Sequence, residues 1–289
     1  MNPEKIEKIV KTIDKMPSLS PTVGKIVEIA NDPTSSPKDL NKVISMDPIL
    51  TARVLKLVNS AYFGLSTKVT NILRAIILLG LTTIKNLALS TAILSKFQKK
   101  KIHSGFNTHE FWKHSLGVAV ISKLIAKKRG IPEKELEEFF IAGLLHDIGK
   151  IVLEEFFTED LKKIMNLKTA NGCSFLEAEE KIIGVNHSEI GKWLGEKWIF
   201  TPALVEAIFY HHTPELAEVN KELTATVFLA NSITKAHFVG DSGNDFLESA
   251  TEEILEILEL KEEEIWSLEF QIHEAIEKAS SFLKISETT

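Results

Sequence analysis

Helix punctuation constrains this chain more than any other feature. At Ser36-Pro37, Asp47-Pro48, Thr201-Pro202 and Thr213-Pro214 a side chain able to cap a helix N-terminus stands directly before a proline suited to the first helical position. Ser174, followed three residues later by Glu177, has the form of a capping box. Between these marks apolar residues recur three and four apart, as at Ile49, Ala52, Val54, Leu55, Leu57 and Val58, while strand-like alternation is scarce. The pattern predicts an all-α protein.

Within KKKIHSGFNTHE a basic run, Ser104-Gly105 and Asn107 interrupt two strongly periodic stretches, which predicts a boundary. The chain is accordingly read as an N-terminal helical subdomain, residues 1–102, packed on a C-terminal helical bundle, residues 103–289. With 289 residues, 44% of them hydrophobic, each part can bury a core. The loop GDSGND at 240–245 lacks calcium-loop spacing and reads as an ordinary turn. No receiver, cyclase or DNA-reading domain is expected within this length, so a signalling role is expected to work by association.

Cys173 is the only cysteine, which excludes an intrachain disulfide, thiolate metal cages and CxxC redox chemistry, and suits a reducing compartment. The N-terminal MNPEKIEKIVKTIDKM alternates charge with apolar residues and lacks the core of a signal peptide. Arg74, Lys85 and Asn86 interrupt the most apolar stretch, Ile72 to Leu94, so no membrane span is expected and the cytoplasm is the expected location. Charge is uneven: residues 1–101 hold 16 Lys and Arg against 7 Asp and Glu (+9), and residues 102–289 hold 18 against 33 (−15). A basic half can bind nucleic acid, and DLNKVISMDPILTARVLKLVNS reads as two helices around a short turn. No aromatic residues interleave the cations as a base-stacking platform would require, which argues against that partner.

The polar residues that need explaining lie in one part of the chain. His146-Asp147, within GLLHDIGK, sits in the middle of a run from Glu135 to Phe157 that reads as apolar and helical. Burying two ionisable groups there is costly unless they are paired, hydrogen-bonded or bound to a metal. Glu110 and His114, four apart, project from one face of the preceding helix. His187 opens another helix, and His211-His212 closes the one after it. Alone each is bland: a satisfied core histidine, a solvated pair, a cation at a helix C-terminus. Together they offer imidazole nitrogens and carboxylate oxygens without thiols, a set suited to zinc, iron, manganese or nickel. Trp112, Trp193, Trp198 and Trp266 read as core, and His103, His109, His237 and His273 match no motif position.

His114 followed by His146-Asp147 and Ile148-Gly149-Lys150 resembles the signature of the HD superfamily of metal-dependent phosphohydrolases. LSPTVGKIVEIANDPTSSPKDLNKVISMDPILTARVLKLVNSAYFG, then VTNILRAIILLGLTTIKNLALS, resembles the opening of its HDOD branch, the HD-related output domain of bacterial signalling proteins. The likeness runs from about Pro17 to His237. It implies an HD-type bundle with metal ligands at His114, His146 and Asp147, and a fourth position at Asn231, where an amide replaces the family's aspartate. Glu110, His187, His211 and His212 resemble further metal ligands of the related HD-GYP phosphodiesterases, although the GYP tripeptide is absent. Lys150 resembles a lysine that faces substrate phosphates, and Asp147 could bridge two ions. Two functions follow as expectations. One is a regulatory output module acting through a signalling protein partner. The other is a metal-dependent phosphohydrolase or phosphodiesterase acting on a nucleotide or cyclic dinucleotide, with Asp147 and Lys150 as catalytic residues.

Overall fold

The caps read from the sequence set the helix starts in a computed structural model of the chain, which describes residues 3–16, 20–32, 34–97, 105–244, 246–248, 251–280 and 282–283. Its α-helices are α1 (Pro3–Lys15), α2 (Pro21–Asn31), α3 (Pro37–Ser45), α4 (Pro48–Val58), α5 (Ile72–Leu79), α6 (Leu81–Phe97), α7 (Thr108–Lys128), α8 (Leu136–Leu145) and α9 (Ile148–Phe156). They continue as α10 (Thr158–Asn171), α11 (Phe175–Ile182), α12 (His187–Lys197), α13 (Pro202–Tyr210), α14 (Lys221–Ala236), α15 (Glu252–Ile257), α16 (Glu262–Trp266) and α17 (Glu269–Ala279). No strand occurs among the described residues.

The local chemistry explains these starts. The carboxylate of Asp47 accepts the backbone N–H groups of Ile49 (3.0 Å) and Leu50 (2.9 Å) ahead of α4, satisfying donors that a helix leaves unpaired. Capping boxes at Ser36–Asp39 and Ser174–Glu177 do the same for α3 and α11. Such a cap is worth about 1 kcal/mol. Thr201 caps α13, but Thr213 precedes only a 3-10 turn, Pro214–Leu216, and its side chain caps nothing.

Helix α7 is the spine of the C-terminal part, packing on α8, α14 and α17, while α12 packs on α9 and α13. In the N-terminal part α6 carries α2 and α4, and α5 packs on α3. One continuous apolar core runs from Ile9 to Leu283 and crosses both parts, with α6 lying against α8. Tyr62, from the loop after α4, stacks within 5.6 Å of Phe140 on α8 and within 5.2 Å of Phe282. Helix α1 lies on α12, which is far from it along the chain, and its Lys5 pairs with Asp160 of α10 at 2.8 Å. The boundary expected between residues 102 and 103, and His103 with it, lies outside the described residues.

Two expectations need correction. Trp112 and Trp198 are core and Trp193 is half-buried, but Trp266 is exposed, at the end of a five-residue helix that fully buries none of its side chains. The run from Glu135 to Phe157 is two helices: α8 stops at Leu145, and Asp147 leaves helical geometry (φ −100°, ψ 12°) before α9 begins.

Candidate metal centre

The break between α8 and α9 is what brings the doublet into use. A helix continued through it would set His146 and Asp147 about 100° apart around one axis; the kink instead lets both point inward, where His146 is fully buried and Asp147 is 2% exposed. Helix α12 reaches the same point because two glycines let it. A Cβ on Gly149 would stand 2.0 Å from the carbonyl oxygen of His187, and Gly191 faces the Gly149 backbone across the same crossing. This close approach sets His187 at the first position of α12 beside Asp147, and His211-His212 arrive from the end of α13.

The site residues fall into two groups that share Asp147. In the first, Asp147, His187, His211 and His212 present ligand atoms within 4.8 Å of one another; in the second, His114, His146 and Asp147 do so. Asp147 Oδ1 is 3.0 Å from His187 Nε2 and 3.4 Å from His211 Nε2, while Oδ2 is 3.3 Å from His146 Nε2. Despite these approaches Asp147 Oδ1 and the Nε2 atoms of His114, His146 and His211 are buried without an aligned hydrogen-bond partner.

Hydrogen bonding fixes the orientation of the rings. His146 Nδ1 donates to the Gly143 carbonyl and His211 Nδ1 to the Ile208 carbonyl, each at 2.8 Å. A carbonyl can only accept, so a neutral ring in either place carries its proton on Nδ1 and bares Nε2. His187 Nδ1 meets Glu179 Oε2 at 2.7 Å and His212 Nδ1 meets Glu248 Oε1 at 2.5 Å. Four Nε2 lone pairs thus converge around Asp147, and those of His187 and His212 are only 3.1 Å apart. One proton on His187 would relieve one such contact; a divalent cation would take up several. Imidazole ligands braced by a carboxylate or carbonyl on the far nitrogen are the usual arrangement at metal sites.

The electrostatics favour neutral rings. Burial, aided by neighbouring histidines, holds His114 and His211 well below the ordinary imidazole range, and burial brings His212 to about 4. His187 differs: burial opposes its charged form, but the Glu179 and Asp147 carboxylates outweigh that and raise its pKa. Asp147 is kept ionised, because His146, Lys150 and His187 overcome the cost of its burial. Lys150, itself buried, donates to Asp147 Oδ2 at 2.7 Å and lies 5.0 Å from the Phe175 ring centre.

Of the residues singled out in the sequence, His114, His146, Asp147, Lys150, His187, His211 and His212 come together. Glu110 does not. It lies in the first turn of α7, half-buried, 3.6 Å from Lys113 and outside both groups. Asn231 is buried on α14 with its side-chain oxygen unpartnered. Lys235, one turn further along α14, is paired with Glu248 at 3.2 Å.

Three participants were not singled out from the sequence. Glu179 carried a signal: it falls with Phe175, Ala178 and Ile182 at helical spacing, a carboxylate on an apolar stripe. Lys235 follows Phe228, Asn231 and Ser232 in the same manner. Glu248 lies in an irregular segment and carried none. The 240s loop is also more than a turn. Gly240 (φ 67°) sits against the α7 backbone, where a Cβ would stand 2.3 Å from the His114 amide nitrogen, and Asp241 N–H donates to the Glu110 carbonyl at 3.0 Å. Beyond it His114, Lys235, Phe238, Asp241, Ser242 and Asn244 line a cavity of about 330 Å³.

Known proteins share this fold. The HDOD domain profile matches residues 16–214. A protein of Treponema pallidum described as uncharacterized is 27% identical over 224 residues, 77% of this chain and 43% of that protein, so the chain spans less than half of that relative's length. Among solved structures, an HDOD domain protein of unknown function from Geobacter sulfurreducens superposes with a TM-score of 0.82 at 25% identity, covering 96% of this chain and 97% of the other. A Shewanella amazonensis protein with the provisional description phosphohydrolase gives a TM-score of 0.73 at 25% identity, with 95% and 97% covered. No helix among the described residues is long and apolar enough to cross a membrane.

Proposed function

Because this chain belongs to the HDOD family, we propose that it is a signal-transduction output module whose helical core is fixed by a divalent metal ion and which acts through a protein partner. The observation that carries this reading is the completeness of the first group. His187, His211, His212 and Asp147 amount to four protein ligands for one ion, and four protein ligands make the closed set of a structural site, whereas a catalytic site keeps a position open for water. The ligands come from α12, from the end of α13 and from the α8–α9 break, so an ion there ties these elements together. Iron, manganese, nickel and zinc all suit this donor set. A cytoplasmic setting accords with the single half-buried thiol of Cys173.

A second reading, hydrolysis of a phosphomonoester or phosphodiester, is favoured by the cavity that reaches His114 and by the description of the Shewanella relative. An ion held by His114, His146 and Asp147 would lower the pKa of bound water toward neutrality. Lys235, which lines the cavity, would meet the anionic substrate. Against turnover stand the neutral amide of Asn231, where an anionic ligand would strengthen the hold on metal, and Lys150, whose ammonium already occupies Asp147 Oδ2.

The two readings separate in one experiment. Protein stripped of metal is reloaded with each of the four ions, and thermal unfolding is followed together with hydrolysis of a panel of nucleotides and cyclic dinucleotides. The output-module reading expects about one equivalent of metal, stabilisation near 3 kcal/mol at a hundredfold excess over Kd, and no hydrolysis. Hydrolysis that vanishes in His114→Ala would replace it with the second reading.

A further inference from the structure

Two apolar surfaces of opposite charge remain uncovered, one on each half of the sequence. On the first, Leu73 and Ile77 stand one turn apart on α5, with Ile77 72% exposed, and Met46 and Ile49 are exposed at the α3–α4 corner. Helix α5 packs on both α3 and α4, which gathers these side chains onto one part of the surface. Lys38, Lys42, Lys68 and Arg74 are exposed in the same segment and outnumber its two carboxylates, Asp39 and Asp47, which take part in the caps of α3 and α4. The surface is therefore aliphatic with a cationic rim.

The second surface has the opposite character. Trp266 is 66% exposed and Phe270 92% exposed, at the junction of α16 and α17. Phe238, 90% exposed, follows His237, whose ring reaches within 3.8 Å of Glu269. Glu262, Glu263 and Glu269 are exposed around these rings. Single exposed apolar side chains are normal, but several large ones grouped within a charged rim mark an interaction surface. Within one chain both surfaces stay free, and either one paired with its own copy would set like charges together. Opposite rims match only when the two different surfaces meet.

We propose that a second copy of this chain docks its Trp266–Phe270 surface on the Met46–Ile77 surface of the first, in a head-to-tail contact. This names the partner of the output module as another copy of itself and does not depend on whether the metal centre is filled. Phe238 also lines the cavity beside His114, so the docked copy sits at the mouth of that cavity. Such a contact either closes into a ring or reciprocal dimer or continues as a chain.

Sedimentation equilibrium on the full chain tests it, with Ile77→Glu and Phe270→Lys as variants. Each places on an exposed position the charge borne by the surface it should meet. Wild type is expected to associate, less so at high salt as screened charges predict. Each variant alone should associate more than about tenfold more weakly with an unchanged circular dichroism spectrum. An equimolar mixture should regain a complex, because one variant keeps an intact α5 surface and the other an intact Phe270 surface. A wild type that stays monomeric up to its solubility limit overturns the proposal, even if another protein binds the same surface. So does a mixture that stays monomeric, or an association that only one of the two substitutions disrupts.

Discussion

The two ligand groups sharing Asp147 differ in how they are braced and in what lies beside them. In the first, His187 and His212 are anchored by the buried or half-buried carboxylates of Glu179 and Glu248, His211 by a carbonyl, and all three rings meet Asp147 from helix ends. In the second, His146 alone has such an anchor, His114 comes from within α7, and Lys150 competes for Asp147 Oδ2. The first lies among packed helices and the second borders a cavity. The contrast teaches that ligand identity is not enough: what lies behind each ring distinguishes two groups built from the same donor atoms.

The largest disturbance should come from removing what the groups share. Asp147→Asn deprives both of their carboxylate and leaves the Lys150 ammonium buried without its partner. Denaturant unfolding is expected to show a loss of about 3–5 kcal/mol, the usual consequence of breaking one side of a buried pair, and neither group should hold metal. Glu179→Gln tests the bracing alone. Metal titration should show affinity weaker by about 10–100-fold, as changes behind a ligand generally give, while Glu248→Gln acts in the same direction on His212.

Acidification probes the same distinction in the metal-free protein. His114, His211 and His212 have folded pKa values below the ordinary 6.5, the last near 4, so the unfolded chain takes up protons first. Their contribution is therefore present above about pH 6.5 and lost as pH falls toward 4. His187, with a raised pKa, works the other way, favouring the fold below 6.5, but it is one ring against three. Unfolding free energy that rises on going from pH 6.5 to 4 would contradict the burial described here. Asn231→Asp sharpens the comparison by restoring an acid to the weaker group, and should raise metal content toward a second equivalent. Glu110→Gln should do least: stability within about 0.5 kcal/mol of wild type and unchanged metal content, because Glu110 faces Lys113 and lies outside both groups.

Much of this was legible in the sequence because it rests on local chemistry. Caps at Ser36, Asp47, Ser174 and Thr201 depend on residues three or fewer positions apart, and the histidines at helix ends announced themselves by their placement. What failed was non-local. Glu110 shares a helix with His114, yet its side chain is half-exposed beside Lys113 and outside both groups, and spacing within a helix says nothing about depth. Glu248 joins the site through a loop without periodicity, and α1 crosses to α12 through contacts more than a hundred and fifty residues apart. The α8–α9 break escaped because Leu145 to Ile148 contains neither Gly nor Pro to mark it.

The most direct test is elemental analysis of wild type, His211→Ala and His114→Ala, each purified without chelators. About one equivalent of a divalent metal is expected in wild type and in His114→Ala, and none in His211→Ala. Metal retained in His211→Ala and lost in His114→Ala would assign the ion to the cavity-side group and contradict the braced centre; a folded wild type that binds no metal would contradict it outright.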